Sequence, residues 1–214
     1  MLDTPRATRT KAAFLKALAA AKRDDFPYPH WHLETALPGD VIKDIVDLPV
    51  APPQKAIFDG RRESNNSSRL FFSRQVQATH PVAADLASAL GDAEVVAALE
   101  KTCGVDLSTG QLRIEYCQDV DGFWLERHTD ILVKMFTMLI YLSDEPELAD
   151  AGTDVYDEEG NHVATSPFGR GIGFIFIPSE HSWHGFRQRP INGIRRSLIV
   201  NFVSPDWRTV EELA

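Results

Sequence analysis

From residue 112 onward the apolar residues recur in short alternating runs, whereas earlier in the chain they recur every three or four positions. Alternation marks a half-buried strand, and the longer spacing marks one face of a helix. Eight strands are predicted on that basis, near 112–118, 123–130, 134–142, 152–157, 161–165, 172–177, 182–187 and 194–203, with Glu158-Glu159-Gly160-Asn161 as a hairpin turn. Upstream, 9–23 reads as a helix whose Ala13, Phe14, Leu18 and Ala21 share a face while Lys11, Lys16, Lys22 and Arg23 lie elsewhere. His30-Trp31-His32-Leu33-Glu34 alternates as a strand, and Pro38 opens a short helix over 40–48. Two more helices are predicted over 81–90, with Pro81 in its first turn, and over 92–103, capped by Asp92. The stretch 50–68 is rich in Pro, Asn, Ser and Arg and reads as a long loop, of the kind that forms lids or binding loops.

Helices followed by eight short strands predict an α+β chain, mainly β: a jelly roll, or double-stranded β-helix, with the N-terminal helices packed on one sheet. The length of 214 residues and the lack of a dividing linker point to one domain over 1–214. Within it, 1–109 is a helix-rich support and lid region and 110–204 the jelly-roll core.

Composition narrows the partners. With 43% hydrophobic and 25% charged residues the chain is an ordinary globular one, so disorder is expected only at the ends. A net charge of −9 argues against nucleic acid, which needs a basic face. Arg61, Arg62, Arg69 and Arg74 form a local exception, read either as a carboxylate or phosphate contact in the loop or as a solvated surface. Cys103 and Cys117 have no zinc-like spacing and are expected as reduced thiols. Lys16 interrupts the first apolar run and no 18-residue apolar stretch exists, so no signal peptide and no membrane span are expected, and the protein is placed in the cytoplasm. The glycosylation-like matches in Asn65-Asn66-Ser67-Ser68 then read simply as loop.

His128-Thr129-Asp130 is the densest chemical feature. On a strand, a side-chain period of two puts His128 and Asp130 on one face and turns Thr129 away. A third ligand arriving from another strand, drawn from His181 and His184, completes two imidazoles and a carboxylate on one side of a metal. Such a set leaves positions open for oxygen and a cosubstrate, the arrangement of non-haem Fe(II) oxygenases. Arg195 carries a permanent planar fork suited to a carboxylate, Ser197 shares its face, and Arg196 faces the other way as a surface ion-pair residue. His30 and His32 also share a face, but no third ligand is near in sequence, and packing is the simpler role. Tyr116, Arg113, Trp124, Met138 and Trp183 are either core residues or lining for a substrate space.

Together these residues resemble the Fe(II)/2-oxoglutarate-dependent dioxygenases, in their prolyl-hydroxylase-like branch, over Leu112 to Val203. Three further segments match the family's strands: Asp150-Ala151-Gly152-Thr153-Asp154, Pro167-Phe168-Gly169-Arg170-Gly171-Ile172-Gly173 and Arg195-Arg196-Ser197-Leu198. The resemblance implies His184 as the third ligand beside His128 and Asp130, because a small and then an apolar residue follow it and Arg195 lies eleven positions on. It implies that Arg195 and Ser197 hold the distal carboxylate of 2-oxoglutarate and that Tyr141 contacts the same cosubstrate, where the alternative is a core tyrosine with a satisfied hydroxyl. Fe(II), 2-oxoglutarate and O2 would then hydroxylate a C–H bond of an amino-acid side chain or small metabolite, presented as a small molecule or peptide, with release of succinate and CO2. Because Asp130 is present, halogenation is not expected. The rival readings are a cupin-like metalloenzyme that does not use 2-oxoglutarate and a non-catalytic metal-binding or sensing module. A buried fork for a dicarboxylate speaks against the first, and an intact ligand set against the second.

Overall fold

The computed structural model describes residues 4–53, 59–61 and 69–214. Most of the predicted loop over 50–68, with Arg62 and the Asn65-Asn66-Ser67-Ser68 stretch, lies outside the described residues. Helix α1 (Pro5–Ala19) begins earlier than its apolar period suggests, because the Thr4 side chain accepts from the Ala7 N–H and Pro5 occupies the first turn, where its missing N–H costs nothing. It also ends earlier: Lys22–Asp24 form strand β1, paired antiparallel with β2 (His30–Leu33). A ladder partner there outweighs the weak helical period. Next come α2 (Gly39–Val46), β3 (Arg69–Phe71), α3 (Arg74–Thr79), α4 (Pro81–Leu90) and α5 (Ala93–Cys103). Neither β3 nor α3 was expected, since three and six residues are too few to display a period. Gly104 ends α5 in the left-handed region at φ +69°, where a side chain would be strained.

All eight predicted strands are present: β4 (Gln111–Asp119), β5 (Leu125–His128), β6 (Lys134–Tyr141), β7 (Asp154–Tyr156), β8 (His162–Thr165), β9 (Gly173–Phe176), β10 (His184–Phe186) and β11 (Arg195–Val203). Together with β1, β2 and β3 they form two antiparallel sheets, ordered β1-β2-β9-β6-β11-β4-β3 and β5-β10-β7-β8. This is the double-stranded β-helix expected from the strand pattern.

The central strands of the larger sheet, β4, β6, β9 and β11, are buried on both faces, and the register sorts their side chains. Ile114 and Tyr116 of β4, Phe136, Met138 and Ile140 of β6, and Leu198, Val200 and Phe202 of β11 turn to one side and join residues of α1, α2, α4 and α5 in the main core. Tyr116 and Met138 are therefore core, not substrate lining. The intervening positions, including Glu115, Cys117 and Asp119 of β4, Thr137, Leu139 and Tyr141 of β6, and Arg195, Ser197 and Asn201 of β11, face the smaller sheet. Most are polar and nearly all are buried. Polar groups buried in such numbers need partners, and the space between the sheets is where those partners converge. Among the described residues no helix is long and apolar enough to cross a membrane.

Candidate metal centre

His128 ends β5 and His184 begins β10, and the antiparallel register sets the two directly opposite each other, with ring centroids 4.4 Å apart. Asp130 lies beyond the end of β5, in the turn that leads into β6. The spacing of two still brings it to the same side: one ligand atom each from His128, Asp130 and His184 lie within 4.8 Å of one another. Among the described residues this is the one group of three such side chains.

Each imidazole has its tautomer set by the backbone two residues earlier. His128 Nδ1 donates to the Glu126 carbonyl at 2.8 Å, and His184 Nδ1 to the Ser182 carbonyl at 2.9 Å. With Nδ1 donating, Nε2 is the nitrogen through which each ring can serve as a ligand. Burial, and then the neighbouring His128, push the His184 imidazole down to about 3, so it stays neutral. Asp130 is held at both oxygens, Oδ1 by the Lys134 ammonium and Oδ2 by the Thr137 hydroxyl at 2.8 Å. Two imidazoles and one carboxylate suit a divalent first-row metal such as Fe(II).

His181, by contrast, is exposed and pairs with Glu158 at 2.7 Å. His30 is buried against Phe174 with Nδ1 donating to the Tyr28 carbonyl, and His32 stacks on the same phenylalanine. Both act in packing.

The triad opens on a cavity of about 60 Å3 whose lining includes Arg69, Asp119, Thr153, Phe186, Arg195 and Ser197. At roughly 10–15 Å3 per water, that space holds a few. Arg195 is 5% exposed; its Nε donates to the Ala151 carbonyl at 2.7 Å and its Nη1 to Asp119 Oδ2 at 2.6 Å, Asp119 being its cross-strand neighbour on β4. The Phe186 and Tyr141 rings flank its guanidinium at 4.8 and 5.5 Å. Ser197 Oγ is fully buried on the cavity wall with no hydrogen-bond partner among the described residues. A buried hydroxyl costs free energy unless something binds it. Arg196 points to the opposite side, with Nη1 3.7 Å from Glu145.

Tyr141 is fully buried and is not among the described residues lining the cavity. Its hydroxyl bonds to Thr153 Oγ1 at 2.8 Å and Ser166 Oγ at 2.7 Å, and accepts from the Thr153 N–H at 3.0 Å. Thr153 is the side chain of this group that reaches the cavity. Gly152 makes the arrangement possible, since a Cβ there would sit 1.8 Å from the Ser166 carbonyl oxygen.

Several residues of this site were not singled out in the sequence. Arg69 is expected from the sequence in a loop cluster, as a carboxylate or phosphate contact or as solvated surface. The structure instead buries it on β3, with Nη1 on Cys117 Sγ at 2.8 Å, Glu115 at 3.4 Å, and Nε unpartnered among the described residues. Arg61 and Arg74 of the same cluster are exposed. Asp119 carried no signal beyond being a carboxylate on a predicted strand. Lys134 sits four residues after Asp130, and that spacing was its one legible cue. Of the remaining lining candidates, Arg113 is buried among Glu115, Asn201 and Glu212, Trp124 covers Gly60, and Trp183 lies 5.0 Å beneath Arg127.

No family model and no curated protein matches this sequence. Solved structures do match in fold. A prolyl-4-hydroxylase from Pseudomonas putida aligns with a TM-score of 0.56 at 15% identity, covering 91% of this chain and 93% of that one. A Trichoplax adhaerens prolyl hydroxylase, solved in complex with a hypoxia inducible factor oxygen degradation domain peptide fragment, aligns with a TM-score of 0.59 at 13% identity over 92% and 90%. A non-heme alpha ketoglutarate dependent epimerase from nogalamycin biosynthesis aligns at 0.54 and 11% identity over 92% and 83%. The fold is thus the one that the prolyl-hydroxylase-like resemblance of the motifs implied.

Proposed function

We propose that this chain, which carries the prolyl-hydroxylase fold, is an Fe(II)- and 2-oxoglutarate-dependent dioxygenase that hydroxylates a C–H bond of an amino-acid side chain or small metabolite. The observation that carries the reading is the convergence of the His128, Asp130 and His184 ligand atoms on a cavity whose wall also holds Arg195 and the unpartnered Ser197 hydroxyl. When bound, Fe(II) and the cosubstrate supply oxygen activation and C–H oxidation, with succinate and CO2 released.

The chain's own residues supply geometry, charge and exclusion of water. By accepting from each Nδ1–H, the carbonyls of Glu126 and Ser182 hold both rings in the tautomer that presents Nε2, so no tautomer shift is needed for metal to bind. Arg195 offers a permanent cation on the wall of the cavity, and Ser197 a hydroxyl two residues on along the same strand face, which together fit the distal carboxylate of a dicarboxylate. Phe186 and Leu139 border the same space and lower its polarity, which strengthens each charged contact inside it. Tyr141 acts on the cosubstrate through Thr153, whose hydroxyl it anchors.

A protein that binds a peptide is among the structural neighbours, which supports a peptide or small-molecule substrate here. The carboxylate-binding wall favours this reading over a cupin-like enzyme with no dicarboxylate cosubstrate. The test is succinate formation from 2-oxoglutarate by purified protein reconstituted with Fe(II). Wild type should bind one Fe(II) per chain and form succinate, and Asp130→Ala should lose most of both, since two neutral imidazoles alone hold a dication poorly. Full metal content and turnover in Asp130→Ala would refute the assignment.

A further inference from the structure

The Asp130 carboxylate stands at the end of a series of buried hydrogen bonds whose direction is set far from the cavity. Arg113 of β4 lies between the rings of Phe71 and Trp207, at 4.7 and 5.0 Å. Its Nε donates to Glu212 Oε2 at 2.6 Å in the C-terminal turn, its Nη2 to Glu115 Oε2 at 3.1 Å, and its Nη1 to Asn201 Oδ1 at 3.2 Å. A guanidinium can only donate. The oxygen of the Asn201 amide must therefore face Arg113, and its nitrogen must face the other way. That nitrogen donates to Thr137 Oγ1 at 2.9 Å. Having accepted there, the Thr137 hydroxyl directs its single hydrogen to Asp130 Oδ2 at 2.8 Å. Asn201 and Thr137 are 0% and 2% exposed, so water cannot scramble these roles. With Lys134 on Oδ1, the carboxylate plane is fixed from both sides.

We infer that Thr137 and Asn201 are positioning residues for the metal, aiming the Asp130 carboxylate and coupling it through Arg113 to Glu212. The inference rests on the reading of Asp130 as a metal ligand. A carboxylate whose rotation is already arrested loses less freedom when it takes up an ion. Partners behind metal ligands typically contribute about 10–100-fold in metal affinity.

The probe is Co(II), titrated into metal-free protein and followed by its visible absorption, with thermal unfolding of the same metal-free variants in parallel. Thr137→Val removes the hydroxyl at nearly constant shape and should weaken Co(II) binding by about 10–100-fold with an altered absorption band. Thr137→Ser should restore both. Glu212→Ala should weaken binding a few-fold in the wild-type background and add nothing to Thr137→Val, as expected for members of one coupled series. Wild-type affinity and spectrum in Thr137→Val would overturn the inference, as would equal losses in the Val and Ser variants that merely track unfolding temperature. If Thr137→Val does not fold, Glu212→Ala decides alone, and an unchanged Co(II) affinity and spectrum there overturns the coupling. Asp130→Ala is the control: if it binds Co(II) as wild type does, the ligand assignment itself has failed, whatever the other variants show.

Discussion

Arg195 enters the resting site with two of its donors engaged, one by the Ala151 carbonyl and one by Asp119. On the proposed reading a dicarboxylate bound beside it would gain a charge-assisted contact worth roughly 1.5–3 kcal/mol, so Arg195→Ala should weaken 2-oxoglutarate about ten- to hundred-fold. Arg195→Lys keeps the charge, loses the planar fork and should fall between. Arg196→Ala should change little, because its side chain leaves the sheet toward Glu145. The dependence of succinate formation on 2-oxoglutarate concentration, with iron content checked, measures all three. Equal effects at 195 and 196 would contradict the strand register. The histidines make a second residue-scale prediction: His184→Ala should lose metal and activity together, whereas His181→Ala, which removes only an exposed pair with Glu158, should retain both. Retention by the first and loss by the second would move the ligand to His181. His128, Arg195 and Ser197 could be read from spacing because a strand has a strict period, and Asp130, although it lies past the end of β5, still falls on the same side. Thr137 and Asp119 could not, and Lys134 only through its spacing of four from Asp130, because what each touches depends on how a turn and two non-adjacent segments are laid together.

At the level of elements, the cap of α5 joins local and tertiary structure in one side chain. Asp92 accepts from the Glu94 N–H at 2.9 Å and also receives Lys11 of α1 at 3.2 Å. Its carboxyl is lowered from the ordinary range, first by the backbone hydrogen bond from Glu94 and also by Lys11. Replacing Asp92 with Ala should cost about 1 kcal/mol, a fall in Tm of roughly 2–4 °C for a chain of this size. Asp92→Asn should recover most of it, since an amide oxygen caps nearly as well. Thermal and urea denaturation would check this, and a loss in Asn equal to that in Ala would show that the ion pair, not the cap, carries the effect. This helix was legible in sequence from Asp92 and the apolar period behind it. The ends of α1 were not: its start depends on the Thr4 cap, and its finish on a strand partner ten residues away, where Lys22 pairs with His32.

For the molecule as a whole, burial of the site predicts how folding responds to acid. The folded chain keeps His184 neutral down to about 3, through burial and then the neighbouring His128. An unfolded histidine takes up its proton near about 6.5. Between those values the unfolded state of metal-free protein binds a proton that the folded state refuses, so stability falls as pH drops through the window. Urea unfolding of chelator-treated protein should show this slope, and His184→Gln should flatten it; an unchanged slope would mean that His184 is not the group held neutral. The sequence alone determined the eight strands, their succession, the sheet-on-helix architecture and the spacing that puts His128 and Asp130 on one side, because alternation and motif spacing are local properties written in adjacent residues. Only the tertiary structure decided that His184 faces His128 while His181 stays in solvent, that Asp119 meets Arg195, that Tyr141 reaches the cavity through Thr153, and that Arg69 lies buried instead of in a loop. Those outcomes depend on strand register and on which buried donor finds which acceptor. Such pairings join residues dozens of positions apart, and no local period encodes them.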